Sequence, residues 1–211
     1  IVRIVAPNPG PMTIDGTNTY LVGSDPVWVV DPGPADQSHV DLIRAEAESR
    51  GGIGAVVITH GHLDHNGAVA LLGAEVIWGG SGSVDEAAQL AAAAAASASA
   101  RVDPVRGSFA AEESEAGPFH VVPTPGHAND HVVFVAGEVV FCGDLILGEG
   151  SSIVPPASAA GSLADYMRSL DRLAEIDAKL LCPGHGPWIT DPASKIGEYR
   201  EHPLDRERKL L

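Results

Sequence analysis

An apolar run that ends in a dense group of histidines constrains this chain more than any other segment. The run that starts at Ala55 is followed at once by the heptapeptide THGHLDH at residues 59–65, which holds three imidazoles and a carboxylate. Core packing gives no reason for such a sequence, whereas imidazole and carboxylate are the ligand types that suit zinc and comparable divalent metals. Gly61 lets the backbone bend so that neighbouring ligands converge. The segment therefore predicts a buried strand that leads directly into a metal-binding loop.

Three later positions share the same local design. His127 in TPGHAND, Asp144 in FCGDLI and His185 in CPGHG each follow an apolar strand run and lie in a turn that contains glycine. Any one of them alone is equally compatible with a structural histidine or an ordinary turn residue. In α/β sheets, however, loops at the ends of strands gather along one edge, where ligands bind.

Strand runs alternate with helical patterns along the chain, which favours α/β layering. Short extended runs open the chain, and a helix closed by Gly51 and Gly52 follows them. The segment from His65 reads as a further helix, and apolar residues recur at helical spacing after a capping pattern at Ser162. The Ala-dominated residues 84–100 favour helix by propensity and carry no chemistry of their own.

Charge and composition exclude several classes of protein. Thirteen Lys and Arg against 28 Asp and Glu give a net charge of −15, which repels nucleic acid and acidic membranes unless basic residues cluster. They hardly cluster, since none lies between Arg50 and Arg101. No run of 18 apolar residues occurs, so we expect no membrane partner. Two cysteines without a C-x-x-C pattern predict a reducing, cytoplasmic location.

Taken in order, the four ligand-bearing segments resemble the signature of the metallo-β-lactamase superfamily: H-x-H-x-D-H, then an isolated His, an isolated Asp and a last His. The resemblance implies an α/β fold of four layers, the αββα sandwich, in which two central sheets are flanked by helices. It places the metal-binding hydrolase domain at residues 1–190. Residues 191–211 would form a C-terminal helical extension, the start of a helical tail domain that is truncated or absent.

The resemblance also implies the ligand set and the chemistry. One metal ion would be held by His60, His62 and His127, the other by Asp64, His65 and His185, and Asp144 would bridge them. Zinc is the default for both ions, and manganese or iron accepts the same donors. A hydroxide that bridges the metals would attack the substrate. Asp64 would have a second, catalytic role, in which it orients this nucleophile or accepts its proton.

Two substrate classes stay open. A bridging Asp144 disfavours antibiotic cleavage and is similar to the thioester-hydrolysing glyoxalase II branch and to nucleases of the superfamily. The stretches APNPGPMTIDGTNTYLVG, VVDPGP and TPGHANDHVVF resemble the lactamase-like endoribonuclease group. The substrate is therefore a small acyl compound (thioester, ester or lactone) or a phosphodiester such as short single-stranded RNA. A metal-stabilised binding module without catalysis is the alternative of another class. A serine hydrolase is excluded because the chain has no G-x-S-x-G elbow.

Some polar residues near these motifs allow two interpretations. Asp31 resembles the family's carboxylate behind the ligand loops, but it could equally satisfy its own turn. Thr59 carries a weaker signal of the same kind. His131 could contact substrate or lie in the core. Residues 16–19 could place polar groups at the rim of the site or simply form hydroxyl turns.

Overall fold

Two five-stranded sheets stacked face to face form the centre of the protein, as seen in a computed structural model that describes residues 1–78, 114–156 and 161–210. The helix predicted over the Ala-dominated residues 84–100 lies outside the described residues. No helix within the described ranges is both long enough and apolar enough to cross a bilayer.

The first sheet comes from the first 78 residues and has the strand order β1-β2-β3-β4-β5. Strands β1, β2 and β3 pair antiparallel, whereas β3, β4 and β5 pair parallel. Parallel neighbours need a crossover, and the helices of this half provide it. The strands are β1 (Val2–Val5), β2 (Asn18–Val22), β3 (Val27–Val30), β4 (Ile53–Val57) and β5 (Val76–Trp78), and the helices are α1 (Gln37–Glu48), α2 (Leu63–Asn66) and α3 (Val69–Leu72).

The second sheet has the order β10-β9-β8-β7-β6 and is antiparallel except for the β9–β10 pair. Helix α4 connects these two parallel strands, and helix α5 follows the last strand. The strands are β6 (Ser114–Ala116), β7 (Phe119–Pro123), β8 (Val132–Ala136), β9 (Val139–Gly143) and β10 (Leu180–Pro183), and the helices are α4 (Leu163–Glu175) and α5 (Pro192–Leu210).

Alternation along the buried strands creates three apolar layers. Successive side chains of a strand point to opposite faces, so Val30 packs between the sheets while Val29 packs against the helices of the first half. In the second sheet, Phe134 likewise faces the inter-sheet core and Val133 faces the side of α4 and α5. The four-layer αββα sandwich predicted from the sequence is therefore confirmed.

The helices predicted within the described residues form, with one interruption. Asp36 caps α1 by accepting from the amide of His39, and Ser162 caps α4 by accepting from the amide of Asp165. The helix predicted from His65 instead begins at Leu63 and divides into α2 and α3. The division occurs because the amide of Ala68 donates to the carbonyl of Gly33 at 2.9 Å rather than to the preceding helical turn.

Strand directions bring the predicted site segments to one edge of the sandwich. Strands β3 and β4 run parallel and end there, as do β7, β9 and β10 of the other sheet. Antiparallel β2 and β8 begin at the same edge. Residues that immediately follow or precede these strands therefore meet across the two sheets.

Candidate metal centre

All seven ligand candidates come together at this edge in two adjoining groups. In each group the potential ligand atoms lie within 4.8 Å of one another. The arrangement matches the division predicted from the sequence, in which one group is rich in imidazole and the other contains the loop carboxylate. The first group is His60, His62, His127 and Asp144, and the second is Asp64, His65 and His185.

The carboxylate of Asp144 joins the two groups. Its Oδ2 lies 3.6 Å from Nε2 of His127 in the first group. Its Oδ1 lies 3.5 Å from Nε2 of His65 and 3.4 Å from Nε2 of His185 in the second. Each carboxylate oxygen thus faces a different set of imidazoles, as a residue that bridges two cations must.

Hydrogen bonds on the far side of the first-group rings fix which nitrogen faces the centre. Thr59 donates its hydroxyl to Asp31 at 2.7 Å, so it can only accept from Nδ1 of His60, 3.0 Å away. Nδ1 of His127 lies 2.7 Å from the carbonyl oxygen of Ile153 and therefore carries the proton that it donates. In the neutral rings, Nε2 of His60 and of His127 is left as a lone pair directed at the centre.

The second group is held in the same way. Nδ1 of His65 lies 2.9 Å from Oδ2 of Asp31, and Nδ1 of His185 lies 3.2 Å from the carbonyl oxygen of Gly16. Both partners are acceptors, so both rings donate from Nδ1 and direct Nε2 inward. The carboxylate of Asp64 meets Nε2 of His185 at 3.3 Å.

The inward nitrogens of the first group cannot all satisfy one another by hydrogen bonds, whereas one cation could contact all of them. Nδ1 of His62 lies 2.9 Å from Nε2 of His60 and 3.1 Å from Nε2 of His127. Since the latter two nitrogens present lone pairs, His62 can donate to at most one of them at a time. A divalent ion at the point where the three nitrogens converge would be a partner for all of them, so these residues fit a metal.

Buried polar atoms without hydrogen-bond partners also favour a metal ion at the second group. Nε2 of His65 and Oδ1 of Asp144 are buried, and neither has a hydrogen-bond partner. Buried polar atoms nearly always have partners, so a pair left without them at one spot indicates an absent group. An imidazole nitrogen and a carboxylate oxygen are both ligands that a divalent ion accepts.

Burial and neighbouring charges shift the pKa values of His60 and His185 in opposite directions. Burial, and then the neighbouring His65, lower the pKa of His60 well below its usual value. Burial acts the same way on His185, but the nearby carboxylates of Asp144 and Asp64 outweigh it and raise the pKa of His185 to about 9. Burial opposes the charge of Asp144, yet His65 and His185 hold the pKa of that carboxyl well below its usual range.

Asp31 supports both groups from behind. Its Oδ1 accepts from the backbone amide of Thr59 and its Oδ2 from the Thr59 hydroxyl, both at 2.7 Å, while Oδ2 also meets His65. The side chain is almost fully buried, and its backbone adopts a left-handed φ of 50°. Of the two interpretations of Asp31, the one that places it behind the ligand loops is thus correct. Thr59 carries the support onward to His60.

His131 is a supporting residue whose role the sequence left open. It is fully buried in the wall behind Asp144, where its Nε2 accepts from the backbone amide of Asp144 at 3.2 Å. Its Nδ1 lies 2.8 Å from the hydroxyl of Thr124. Burial lowers the pKa of His131 to about 3, which keeps the ring neutral and able to accept. A core position is thus correct, with a specific task at the bridging carboxylate.

Glycine at position 184 lets the two groups approach. A Cβ atom there would lie 2.5 Å from Oδ1 of Asp144 and 2.6 Å from Cε1 of His65. Only a residue without a side chain allows the β10 loop to pass so near both ligands. The sequence signal was the Gly before His185, which had been interpreted simply as a turn residue.

A pocket of about 110 Å³ opens beside His127 and Asp144. Two loops form its walls, one after β1 and one after β9. None of the described residues that line it is lysine or arginine. The first loop contributes Pro11, Met12 and Ile14, and the second contributes Leu147, Glu149, Gly150, Ser151, Ser152 and Ile153.

Comparison with protein families gives one extended match. The model of the family described as the Metallo-beta-lactamase superfamily matches residues 12–185. This range includes all seven ligand candidates and every pocket-lining residue except Pro11.

Curated relatives match the whole chain. Lactamase-like protein adaB of Aspergillus niger is 34% identical over 225 residues, which cover 100% of this chain and 62% of that protein. Beta-lactamase-like protein 2 homolog of Caenorhabditis elegans is 32% identical, covering 100% of this chain and 70% of that protein. Atrochrysone carboxyl ACP thioesterase of Aspergillus chevalieri is 33% identical, covering 100% and 64%. The chain thus spans less than two thirds of the length of two of these three relatives.

Solved structures share the fold. A metallo-beta-lactamase family protein from Thermus thermophilus superposes with a TM-score of 0.75 at 23% identity, covering 100% of this chain and 81% of that one. The protein TTHA1623, solved in a di-iron-bound form, superposes with a TM-score of 0.67 at 26% identity, covering 90% of this chain and 94% of that one.

Proposed function

The chain belongs to the metallo-beta-lactamase superfamily of metal-dependent hydrolases, and we propose that it uses two divalent metal ions to hydrolyse thioesters or esters with a small apolar acyl group. One observation carries the proposal: Asp144 directs one carboxylate oxygen to each group of ligands. A structural metal site fills its coordination shell with protein ligands, whereas seven ligands shared by two ions leave room for water and substrate.

His60, His62 and His127 would hold one ion, Asp64, His65 and His185 the other, and Asp144 both. When bound, two such ions lower the pKa of water and polarise the group that is attacked. The donors are nitrogen and oxygen only, which suits zinc, manganese and iron alike. Zinc is our first choice, and the di-iron form of the similar protein TTHA1623 makes iron the second.

Asp64 is the carboxylate that we assign to the reaction itself. Its side chain is 31% exposed, against 11% for Asp144 and 3% for Asp31, so it is the most accessible of these three carboxylates. The hydroxyl of Thr17 lies 3.5 Å from its Oδ2 and His185 lies 3.3 Å from the same oxygen, and these contacts restrain the carboxylate. In that position Asp64 can orient the attacking water and accept its proton.

The pocket favours an acyl substrate over a polyanion. Met12, Ile14 and Ile153 offer apolar surface beside the ligands, and the only charged side chain among the described residues of its two walls is the carboxylate of Glu149. A phosphodiester chain needs cations near its phosphates, and these walls provide none. Since a dry cavity of about 150 Å³ binds benzene, a pocket of about 110 Å³ accepts an acyl group of a few carbon atoms.

The relatives are consistent with this choice. One of them is named for thioester hydrolysis on an acyl carrier protein. For the location we propose the cytoplasm, because Cys142 and Cys182 are both free and buried thiols, as a reducing compartment allows.

Metal analysis combined with a matched substrate series tests the proposal. Thioesters of one thiol with acetyl, butanoyl and octanoyl groups would be compared with a single-stranded RNA of mixed sequence. We expect two ions per chain, hydrolysis that a chelator abolishes, and the highest kcat/KM for butanoyl. Cleavage of RNA with no thioester turnover would replace the proposal with endoribonuclease activity. Two bound ions without turnover of either substrate would indicate a binding module.

A further inference from the structure

Helix α5 contacts the loop after β9 through the hydroxyl group of Tyr199. Tyr199 lies on α5 and is almost fully buried. Its hydroxyl accepts from the backbone amide of Leu147 at 2.9 Å and donates to the carbonyl of Gly150 at 3.2 Å. Residues 147–150 are the pocket wall after β9, and we use the name pocket wall for them below.

The loop after β9 also contacts the metal centre directly. Within the pocket wall, the amide of Gly148 donates to the carbonyl of His185 at 2.9 Å. Beyond the wall, the carbonyl of Ile153 accepts from Nδ1 of His127 at 2.7 Å, and the hydroxyl of Ser152 donates to the carbonyl of Asp144. The contacts with Tyr199 are different, because they touch no ligand residue.

We propose that Tyr199 is a positioning residue that fixes the pocket wall and thereby determines which acyl groups the site accepts. The proposal rests on the proposed function, since it names the feature that selects the acyl group. Leu147, whose amide Tyr199 binds, is itself a lining residue and is only 7% exposed. Movement of its backbone therefore changes the width of the pocket directly.

The hydroxyl is suited to this task at any physiological pH. Burial raises the pKa of Tyr199 to about 12, so the group keeps the proton that it donates to Gly150. Gly150 has a left-handed φ of 69°, and a Cβ atom there would meet nothing within 4 Å. The turn is thus not held by side-chain packing at that position, and the hydrogen bond from Tyr199 to Gly150 adds to the restraint that the bond from Gly148 to His185 supplies.

Tyr199 lies beyond the predicted end of the hydrolase domain. The sequence predicts the hydrolase domain at residues 1–190 and treats residues 191–211 as an extension. Tyr199 belongs to that extension yet contacts the pocket wall, so α5 would be part of the substrate site.

Tyr199→Phe tests the proposal, because phenylalanine keeps the ring and removes only the hydroxyl. Glu198→Gln is the matched control: Glu198 is an exposed neighbour on the same helix whose ion pair with Lys195 does not involve the wall. Hydrogen exchange at the Leu147 amide, metal content, and kcat and KM for the three thioesters would be measured for both variants. Thermal unfolding would verify that both fold.

For Tyr199→Phe we expect exchange at Leu147 to be about tenfold faster, since the amide loses its acceptor. KM for the butanoyl thioester should rise about fivefold with kcat little changed, which is the pattern of lost binding, and the preference over octanoyl should shrink. Metal content should not change. Glu198→Gln should match the wild type in every measurement.

Three results would overturn the proposal: unchanged exchange at Leu147, faster exchange without any change in acyl preference, or loss of metal together with the hydroxyl. If the wild type cleaves no thioester at all, the proposed function fails instead. The exchange measurement then still decides whether Tyr199 holds the wall.

Discussion

The two sheets supply the metal centre in different ways. The first sheet delivers four ligand candidates in one heptapeptide after β4, at residues 59–65. The second sheet delivers three, one from each of three separate strand ends after β7, β9 and β10. One half of the site is thus a single loop, and the other half is a meeting point of three.

The supports differ accordingly. Asp31 holds the loop of the first sheet at two points, through Thr59 and through His65. Each ligand of the second sheet has a partner of its own, namely the Ile153 carbonyl for His127, the His131 ring for Asp144 and the Gly16 carbonyl for His185. A shared support makes the first half sensitive to one residue, whereas the second half can lose its supports one at a time.

The largest effect should come from His62→Ala in the shared loop. His62 is exposed and makes no contribution to the core, so the metal-free variant should unfold at the same temperature as the metal-free wild type. Loss of a ligand removes several kcal/mol of transition-state stabilisation, so we expect turnover to fall by about a thousandfold. Steady-state kinetics with the butanoyl thioester measures it. His120→Ala, at a partly exposed histidine remote from the ligand loops, is the control. If His62→Ala turned over substrate at the wild-type rate, the loop would have no part in the reaction.

The next effect should come from Asp31→Asn, which tests the shared support. The amide nitrogen of asparagine cannot accept from Thr59 and His65 as Oδ2 does. Partners of this kind are worth about 10- to 100-fold in metal affinity, and we expect both ions to bind more weakly, because the residue supports both groups. Calorimetric titration with zinc gives the two affinities. If only one of the two ions bound more weakly, Asp31 would support only one of the two groups.

A smaller and more local effect is expected for His131→Leu. The amide of Asp144 loses its acceptor, but His127 and His185 keep theirs. We expect about a tenfold loss of kcat/KM, at the lower end of the range for such supports. Extended X-ray absorption fine structure of the bound metal should show altered carboxylate coordination and unchanged imidazole coordination. A change in the imidazole ligands would contradict the view that His127, Asp144 and His185 are supported independently of one another.

The smallest effect is expected for Cys142→Ser, on a strand of the second sheet that leads to Asp144. The Cys142 thiol is fully buried among apolar residues and donates to the Ile146 carbonyl at 3.5 Å. Its place in the core predicts activity within a fewfold of the wild type, because the side chain packs in the apolar cluster beneath α4 and α5. Complete inactivation with metal still bound would show that this core position governs the chemistry.

The sequence was sufficient to single out the seven ligand candidates that the structure brings together, and most of the strands, because strand-end histidines and apolar runs are local signals. Strands β5 and β6 were not predicted, since each has only three residues and too short a pattern to be recognised. The break between α2 and α3 depends on a bond from Ala68 to distant Gly33, which no local pattern contains.

The supports of the site were less predictable than the ligands. The carbonyls of Gly16 and Ile153 belong to the backbone, so their role depends on chain path alone and not on residue type. His131 has the residue type of a ligand, but its task behind Asp144 depends on the register of β8 against β7. Tyr199 is distant in sequence from every ligand motif.

Because the seven ligand candidates come from both sheets, bound ions would link the two halves of the sandwich at one edge. Anything that binds only the native state stabilises it, by about 2.7 kcal/mol when the ligand is present at a hundred times its dissociation constant. The abundance of the folded protein in a cell would therefore follow the supply of metal, and scarcity would reduce the number of molecules as well as the activity of each.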